Sequence, residues 1–174
     1  MLEIELQEAS RGDRSILRNL LELYIYDFSE YTGNDLDEHG FYGYDYLDRY
    51  WTEAGRTPFL VRVQGKLAGL VLVRDVDEEG ILVHHMAEFF ILRKYRRQSA
   101  GQQAAFKAFD RFPGLWHVSE LAENLPAITF WRKIIHQYTG GSFAEIPNHY
   151  QDGPMQVFTS PGVRDQESFD LKLI

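Results

Sequence analysis

The chain has 174 residues and a mass of 20.3 kDa, with 18 Lys and Arg against 26 Asp and Glu, a formal net charge of −8. A chain of this mass folds as one domain and buries about 70% of its unfolded surface, so it needs no covalent staples. It has no Cys, which excludes disulfides, thiolate metal sites and a Cys nucleophile, and its negative charge argues against a nucleic-acid binder that relies on overall basicity.

The first residues, Met1-Leu2-Glu3-Ile4-Glu5-Leu6, alternate apolar and acidic side chains, which predicts a strand over 2–8. This is not the basic start and apolar block of a secretory signal, and no apolar run of about 18 residues suggests a membrane span. The chain therefore reads as cytoplasmic. Ser10 and Asp13 offer caps to a helix whose apolar stripe, Ile16, Leu17, Leu20, Leu21, Leu23 and Tyr24, has helical spacing. The Gly-, Asn- and Asp-rich stretch 32–43 predicts a loop, and a shorter aromatic helix is expected over 44–54. Then the period changes to two: 58–63 and 67–73 read as strands joined through Gln64-Gly65-Lys66 in a tight hairpin. An acidic turn is expected over 75–80 and a long apolar strand over 81–92. A helix over 101–112 stops at Pro113-Gly114, a strand covers 115–121, and a helix over 125–137 ends at Gly140-Gly141. Two late strands, 142–146 and 154–159, complete a core of 2–159, followed by a polar tail over 160–174. The order β-α-α-β-β-β-α-β-α-β-β predicts a single α/β domain over 1–174, a mixed central sheet flanked by helices, with its parallel part within 81–121.

The strand over 81–92 runs into Arg93-Lys94-Tyr95-Arg96-Arg97, four bases in five residues, and then into Gln98-Ser99-Ala100-Gly101-Gln102 at the mouth of a helix. Small residues let a ligand approach the backbone. The first turn of a helix holds unpaired N–H groups and a partial positive charge. Strand, small-residue turn and helix in that order make either a phosphate cradle or a solvated basic loop before an ordinary helix. There is no Walker loop, because Gly65-Lys66 is followed by Leu67, and no GxGxxG run. The six His lack metal-ligand spacing, so no metal is expected.

The run Ala87-Glu88-Phe89-Phe90-Ile91-Leu92-Arg93-Lys94-Tyr95-Arg96-Arg97-Gln98-Ser99-Ala100-Gly101 resembles the acetyl-CoA-binding core of the GNAT superfamily of N-acetyltransferases. Its pattern is Arg/Gln-x-x-Gly-x-Gly/Ala after an apolar strand. Arg96, Ser99 and Gly101 occupy the fixed positions, with Ser99 in place of the first glycine. Asn124-Leu125-Pro126-Ala127-Ile128-Thr129-Phe130-Trp131 resembles the second cofactor motif, Asn-x-x-Ala-x-x-aromatic-aromatic. The element order matches the family over about residues 2–159, and the chain is similar to a bacterial branch of predicted acetyltransferases.

The resemblance implies a GNAT-like fold and acetyl-CoA as co-substrate, with its pantetheine arm lying along the strand edge at Ile91, Leu92 and Arg93. It places the pyrophosphate on the amides of Arg97, Gln98, Ser99, Ala100, Gly101 and Gln102, and the 3′-phosphate near Arg96 or Arg97. Asn124, Ala127 and Trp131 complete the cofactor-binding set. A backbone N–H near Ile91 would polarise the thioester carbonyl. Glu88 is the candidate general base, needed because an alkylamine is mostly protonated at neutral pH; its other reading is a half-buried Glu paired with an arginine. Counting by twos, His84, Met86, Glu88, Phe90 and Leu92 share one face, so His84 could assist and His85 points away, unless a bulge reverses the parity. Many members place a Tyr general acid where Trp131 stands. Indole is no proton source at neutral pH, and packing in the core is the other reading of Trp131.

Residues 27–53 hold eight acids against Arg49 alone, interleaved with Phe28, Tyr31, Phe41, Tyr42, Tyr44, Tyr46, Tyr50 and Trp51. Acids among aromatics suit a small cationic amine acceptor, through steering and cation–π contact, or form a solvated surface with aromatics packed beneath. The segment 148–155, with His149 and Tyr150, is a loop that could line an acceptor cleft. The expected partners are a small-molecule amine and a second copy through the tail from Phe169 to Ile174, not nucleic acid or a membrane. The competing function is a non-catalytic acyl-CoA-binding sensor or partner module of the same fold.

Overall fold

The period-two stretches of the sequence become one twisted sheet in the computed structural model, which describes residues 3–148 and 151–162. The elements are β1 (Ile4–Glu8), α1 (Arg14–Thr32), β2 (Arg56–Val63), β3 (Lys66–Glu78), β4 (Ile81–Ile91), α2 (Ala100–Arg111), β5 (Gly114–Ser119), α3 (Leu125–Thr139), β6 (Ala144–Pro147) and β7 (Pro154–Ser160). The strands lie in the order β1-β2-β3-β4-β5-β7-β6. Every neighbouring pair is antiparallel except β4 and β5, which α2 joins by a parallel crossover. The mixed α/β fold predicted from the sequence is therefore the fold observed.

Two apolar layers cover the two faces. On one, α2 and α3 bury Trp116, Phe109, Phe158, Trp131 and Ile135 against Val71, Val73 and Met86. On the other, α1 packs Leu17, Leu20 and Leu21 on Leu70, Leu72 and Phe90. Gly69 is required where β3 meets β4, since a Cβ there would stand 2.0 Å from the carbonyl oxygen of Phe90.

Two expectations need correction. The second helix is a single 3-10 turn, Leu47–Trp51, whose Leu47 and Tyr50 fill the α1-side core. Aromatic density there reflects packing of a short turn, not helical periodicity. The acidic turn over 75–80 is mostly strand: Asp75 pairs with His84, and Arg74 with His85, across the β3–β4 ladder. Only Glu79 and Gly80 turn, with φ of 56° and 86°, the two left-handed residues of a tight hairpin. Charged side chains at the exposed end of a long hairpin had masked its strand character.

Candidate active site at the parting of two strands

β4 and β5 pair only where Val83, His84 and His85 meet Leu115, Trp116 and His117. Beyond His85, β4 keeps β3 as a neighbour but leaves β5. The N–H of Leu92 donates to Ala68 O at 2.8 Å, toward β3. N–H and C=O groups of successive strand residues point to opposite edges, so those of Ile91 point into the gap. Arg96 Nε donates to Ile91 O at 2.7 Å, which fixes that carbonyl and leaves the Ile91 N–H on the open edge.

The basic segment closes the far end of this gap. A 3-10 turn, Arg93–Tyr95, precedes Arg97 and Ser99, which both adopt left-handed backbone with φ of 61° and 63°. Ser99 thus shows why the motif carries glycine at this position: the backbone demands a positive φ that only glycine adopts freely. The first bond of the α2 ladder runs from Gln103 N–H to Ser99 O at 3.0 Å, so the amides of Ala100, Gly101 and Gln102 precede the ladder and face outward at its positive end. A Cβ on Gly101 would sit 3.2 Å from the Phe130 ring, so this glycine also lets α2 approach α3.

The arginines divide into two uses. Arg93 donates to Asp27 Oδ1 at 2.7 and 3.2 Å, and Arg96 bridges Asp27 Oδ2 to Ile91 O. Burial works against the charge on Asp27, but the bonds from Arg96 and Arg93 outweigh it and hold the carboxyl below its usual range. Arg97 has no ion pair among the described residues. The side chain of Gln98 bonds Lys94 O at 2.9 Å, and that of Gln102 bonds Gln137 at 3.0 Å. Leu92 packs on the α1-side core. Asn124 caps α3 by accepting from the Ala127 N–H at 3.1 Å. Trp131 is 5% exposed and packs edge-on to Phe89 with ring centres 4.9 Å apart. Its position is that of a core residue.

Glu88 lies on the α1 face. Tyr44 donates its hydroxyl to Glu88 Oε1 at 3.0 Å, and Tyr24, on α1, is hydrogen-bonded to the same carboxylate. Burial pushes the Glu88 carboxyl above its usual range, and the two phenols and the charge of Arg74 oppose that shift only in part. Both phenols are in turn raised, chiefly by burial and then by the neighbouring carboxylate. Neither tyrosine could be assigned from the linear sequence, because α1 and a distant loop deliver them.

The face assignment of the histidines is reversed. The β3–β4 register jumps between Leu72–Glu88 and Val73–Met86, so Ala87 is an extra residue that flips the parity of β4. His84 therefore points to the α2 and α3 side, held by Asp75 at 2.7 Å and Pro113 O at 3.2 Å. His85 shares the face of Glu88 instead. There it helps line a cleft of about 470 Å³ with Arg74, Glu78 and His117. Asn148, Gln151 and Met155 from the late loop form part of the wall; His149 and Tyr150, like the tail from Phe169 to Ile174, lie outside the described residues. Burial lowers the His85 pKa, its bond to Glu78 opposes this, and His117 reinforces it.

Three of the eight acids of the 27–53 window are held by arginines. Asp27 holds Arg93 and Arg96, Asp48 holds Arg14 at 2.5 Å, and Glu53 holds Arg56 at 2.7 Å. None of the window's acids lines the cleft, whose carboxylate is Glu78. A further buried acid stands behind β5: Glu120 is 4% exposed, its Oε1 has no hydrogen-bond partner, and burial pushes its pKa up to about 8.

The family model described as "Acetyltransferase (GNAT) family" matches residues 19–136. An acetyltransferase from Thermus thermophilus superposes with a TM-score of 0.68 at 13% identity, over 91% of this chain and 97% of that one. A spermidine N-acetyltransferase from Vibrio cholerae, in complex with CoA and spermine, gives 0.61 at 18% identity, over 90% and 95%. A PaiA N-acetyltransferase from Thermoplasma acidophilum, in complex with coenzyme A, gives 0.60 at 11% identity, over 88% and 98%. At these identities the solved structures show the shared fold alone. No curated protein matches the chain.

Proposed function

The chain belongs to the acetyltransferase (GNAT) family, and from that premise we propose that it transfers the acetyl group of acetyl-CoA directly to a primary amine of a small, cationic acceptor, with Glu88 as general base. The observation that carries this reading is the Glu88 carboxylate itself. It is held by Tyr24 and Tyr44 three residues before the open N–H of Ile91, on the strand that leaves its neighbour. Acetyl-CoA, when bound, supplies the thioester.

The donor set fits that group. Ile91 N–H faces the gap where a carbonyl oxygen needs a donor, and the amides at the start of α2, with Arg97, which has no ion pair among the described residues, offer positive ends to phosphates. Glu88, directly or through a water, takes the proton that an ammonium must lose before its nitrogen can bond to the acetyl carbon. As the C–N bond forms the C–S bond breaks; the thiolate of a thiol with a pKa near 8.5 leaves without an obligatory acid and then takes up the second proton, which the nitrogen sheds as it becomes an amide. Burial keeps the Glu88 pKa closer to working pH than that of a solvated carboxylate, which suits a base.

Cationic acceptors are favoured because a fold relative was solved with spermine. The same reading sets the enzyme in the cytoplasm. No described helix is long and apolar enough to cross a membrane. A thiol-release assay with acetyl-CoA and a panel of polyamines, amino sugars and peptide amines tests the proposal. Turnover with at least one amine supports it; binding of CoA with no turnover across the panel favours a sensor.

A further inference from the structure

Three residues from three strands meet on the floor of the cleft. His85 on β4 and His117 on β5 are direct partners in the parallel register, so their rings lie on one face with centres 5.1 Å apart. Glu78, at the end of β3, reaches across to both. Its Oε1 is 3.0 Å from His85 Nε2 and 3.5 Å from His117 Nδ1. One donor atom from each residue lies within 4.8 Å of the other two.

A hydrogen bond accounts for His85 and Glu78 but not for His117. Its residue is 8% exposed, and Nδ1 is buried with no hydrogen-bond partner. The Glu78 oxygen at 3.5 Å is beyond the reach of a ring N–H. A buried ring nitrogen left without a bond is costly, and here it is aimed at a carboxylate and a second imidazole.

We propose that Glu78, His85 and His117 form a binding site for one divalent transition-metal ion, with zinc as the best-fitting ion. Ligand atoms about 2.1 Å from a tetrahedral ion stand about 3.4 Å from one another, which the observed separations of 3.0 and 3.5 Å nearly meet. Two imidazoles and a carboxylate favour zinc, cobalt or nickel over magnesium or calcium, which take oxygen ligands. Arg74 and Glu78 are the charged groups lining the cleft. Arg74 repels a free cation, so binding rests on coordination, not on the field of the cleft. Three protein ligands leave a fourth position open.

The test uses the untagged full-length protein without acetyl-CoA, so it is independent of acetyl transfer. Co²⁺ is titrated while visible absorption is followed, and Zn²⁺ is titrated by calorimetry. The expected result is one ion per chain, with the stronger absorption of four-coordinate Co²⁺. His85→Gln and Glu78→Gln should each weaken binding at least tenfold, while His39→Gln, on an exposed loop, should not change it. His117→Gln should act likewise to the first two, and those two decide the matter if it fails to fold. Absence of saturable binding, or binding that both His85→Gln and Glu78→Gln leave unchanged, overturns the site.

Discussion

Tyr44 and Glu88 are 44 residues apart in sequence and 3.0 Å apart in space, with the phenol donating to the carboxylate. The bond ties the loop after α1 to the strand that carries the candidate base. It also tunes that base, since a donor to a carboxylate stabilises the charged form and lowers its pKa. Burial acts in the opposite sense and prevails. Tyr44→Phe removes one of the opposing bonds, so the Glu88 pKa should rise further. The acidic limb of the kcat/KM profile should move to higher pH by about one unit. A limb that stays in place would show that Glu88 is not the group titrating in the profile.

Arg96 and Arg97 are adjacent and should behave differently. Arg96 is spent on Asp27 and Ile91 O, whereas Arg97 has no ion pair among the described residues. Arg97→Ala should weaken CoA binding about threefold to tenfold and reduce its salt dependence, with thermal stability nearly unchanged. Arg96→Ala should lower the melting temperature as well, because it frees a backbone carbonyl and half of an ion-pair network. Calorimetric titration and thermal melts of both variants check the contrast. An Arg97→Ala protein with wild-type CoA affinity would move the phosphate cradle elsewhere.

Ser99 holds left-handed backbone at φ 63°. An L side chain in that region costs about 1 kcal/mol relative to glycine. Ser99→Gly should therefore stabilise the chain by roughly 0.5–1 kcal/mol, about 1–4 °C in melting temperature for a domain of this size. The same change restores the glycine of the family motif, so CoA affinity should be retained or improved. A lower melting temperature would contradict the assigned conformation.

Glu120 makes stability depend on pH. Its pKa, pushed up to about 8 chiefly by burial, exceeds the unfolded value. The folded chain therefore holds a proton that the unfolded chain has released. This contribution is fully present below the unfolded carboxylate range and is lost as pH rises toward 8. Glu120→Gln keeps a group that can accept from Gln156 and removes the titration. The variant should melt close to wild type at pH 4 and several degrees higher at pH 8, on the order of a few kcal/mol. An equal difference at both pH values would show that Glu120 is not held protonated.

The sequence made some of this structure readable and hid the rest for physical reasons. The β4-to-α2 junction was legible because its chemistry is local: an apolar strand, then bases, then small residues at a helix start. Ser99 and Gly101 are among those small residues, whereas Ile91 was singled out by the family resemblance. Asn124 and Trp131 were expected in the cofactor-binding set from the family resemblance; in the structure one caps α3 and the other packs in the core. The environment of Glu88 was not legible, since Tyr24 and Tyr44 arrive from a helix and a loop whose docking no periodicity records. The bulge at Ala87 reversed the faces of His84 and His85, and such a bulge is set by tertiary packing. The cluster of Glu78, His85 and His117 depends on strand register, so no linear spacing could announce it.

The most direct test of the account is the turnover of Glu88→Gln with the best acceptor amine, measured beside its CoA affinity. The substitution keeps the size of the side chain and a carbonyl oxygen for Tyr44, but removes the base. The expected result is a fall in kcat of about a hundredfold or more at neutral pH, with CoA binding unchanged. A variant that acetylates at the wild-type rate would contradict the assignment of Glu88 as the group that accepts the proton of the amine.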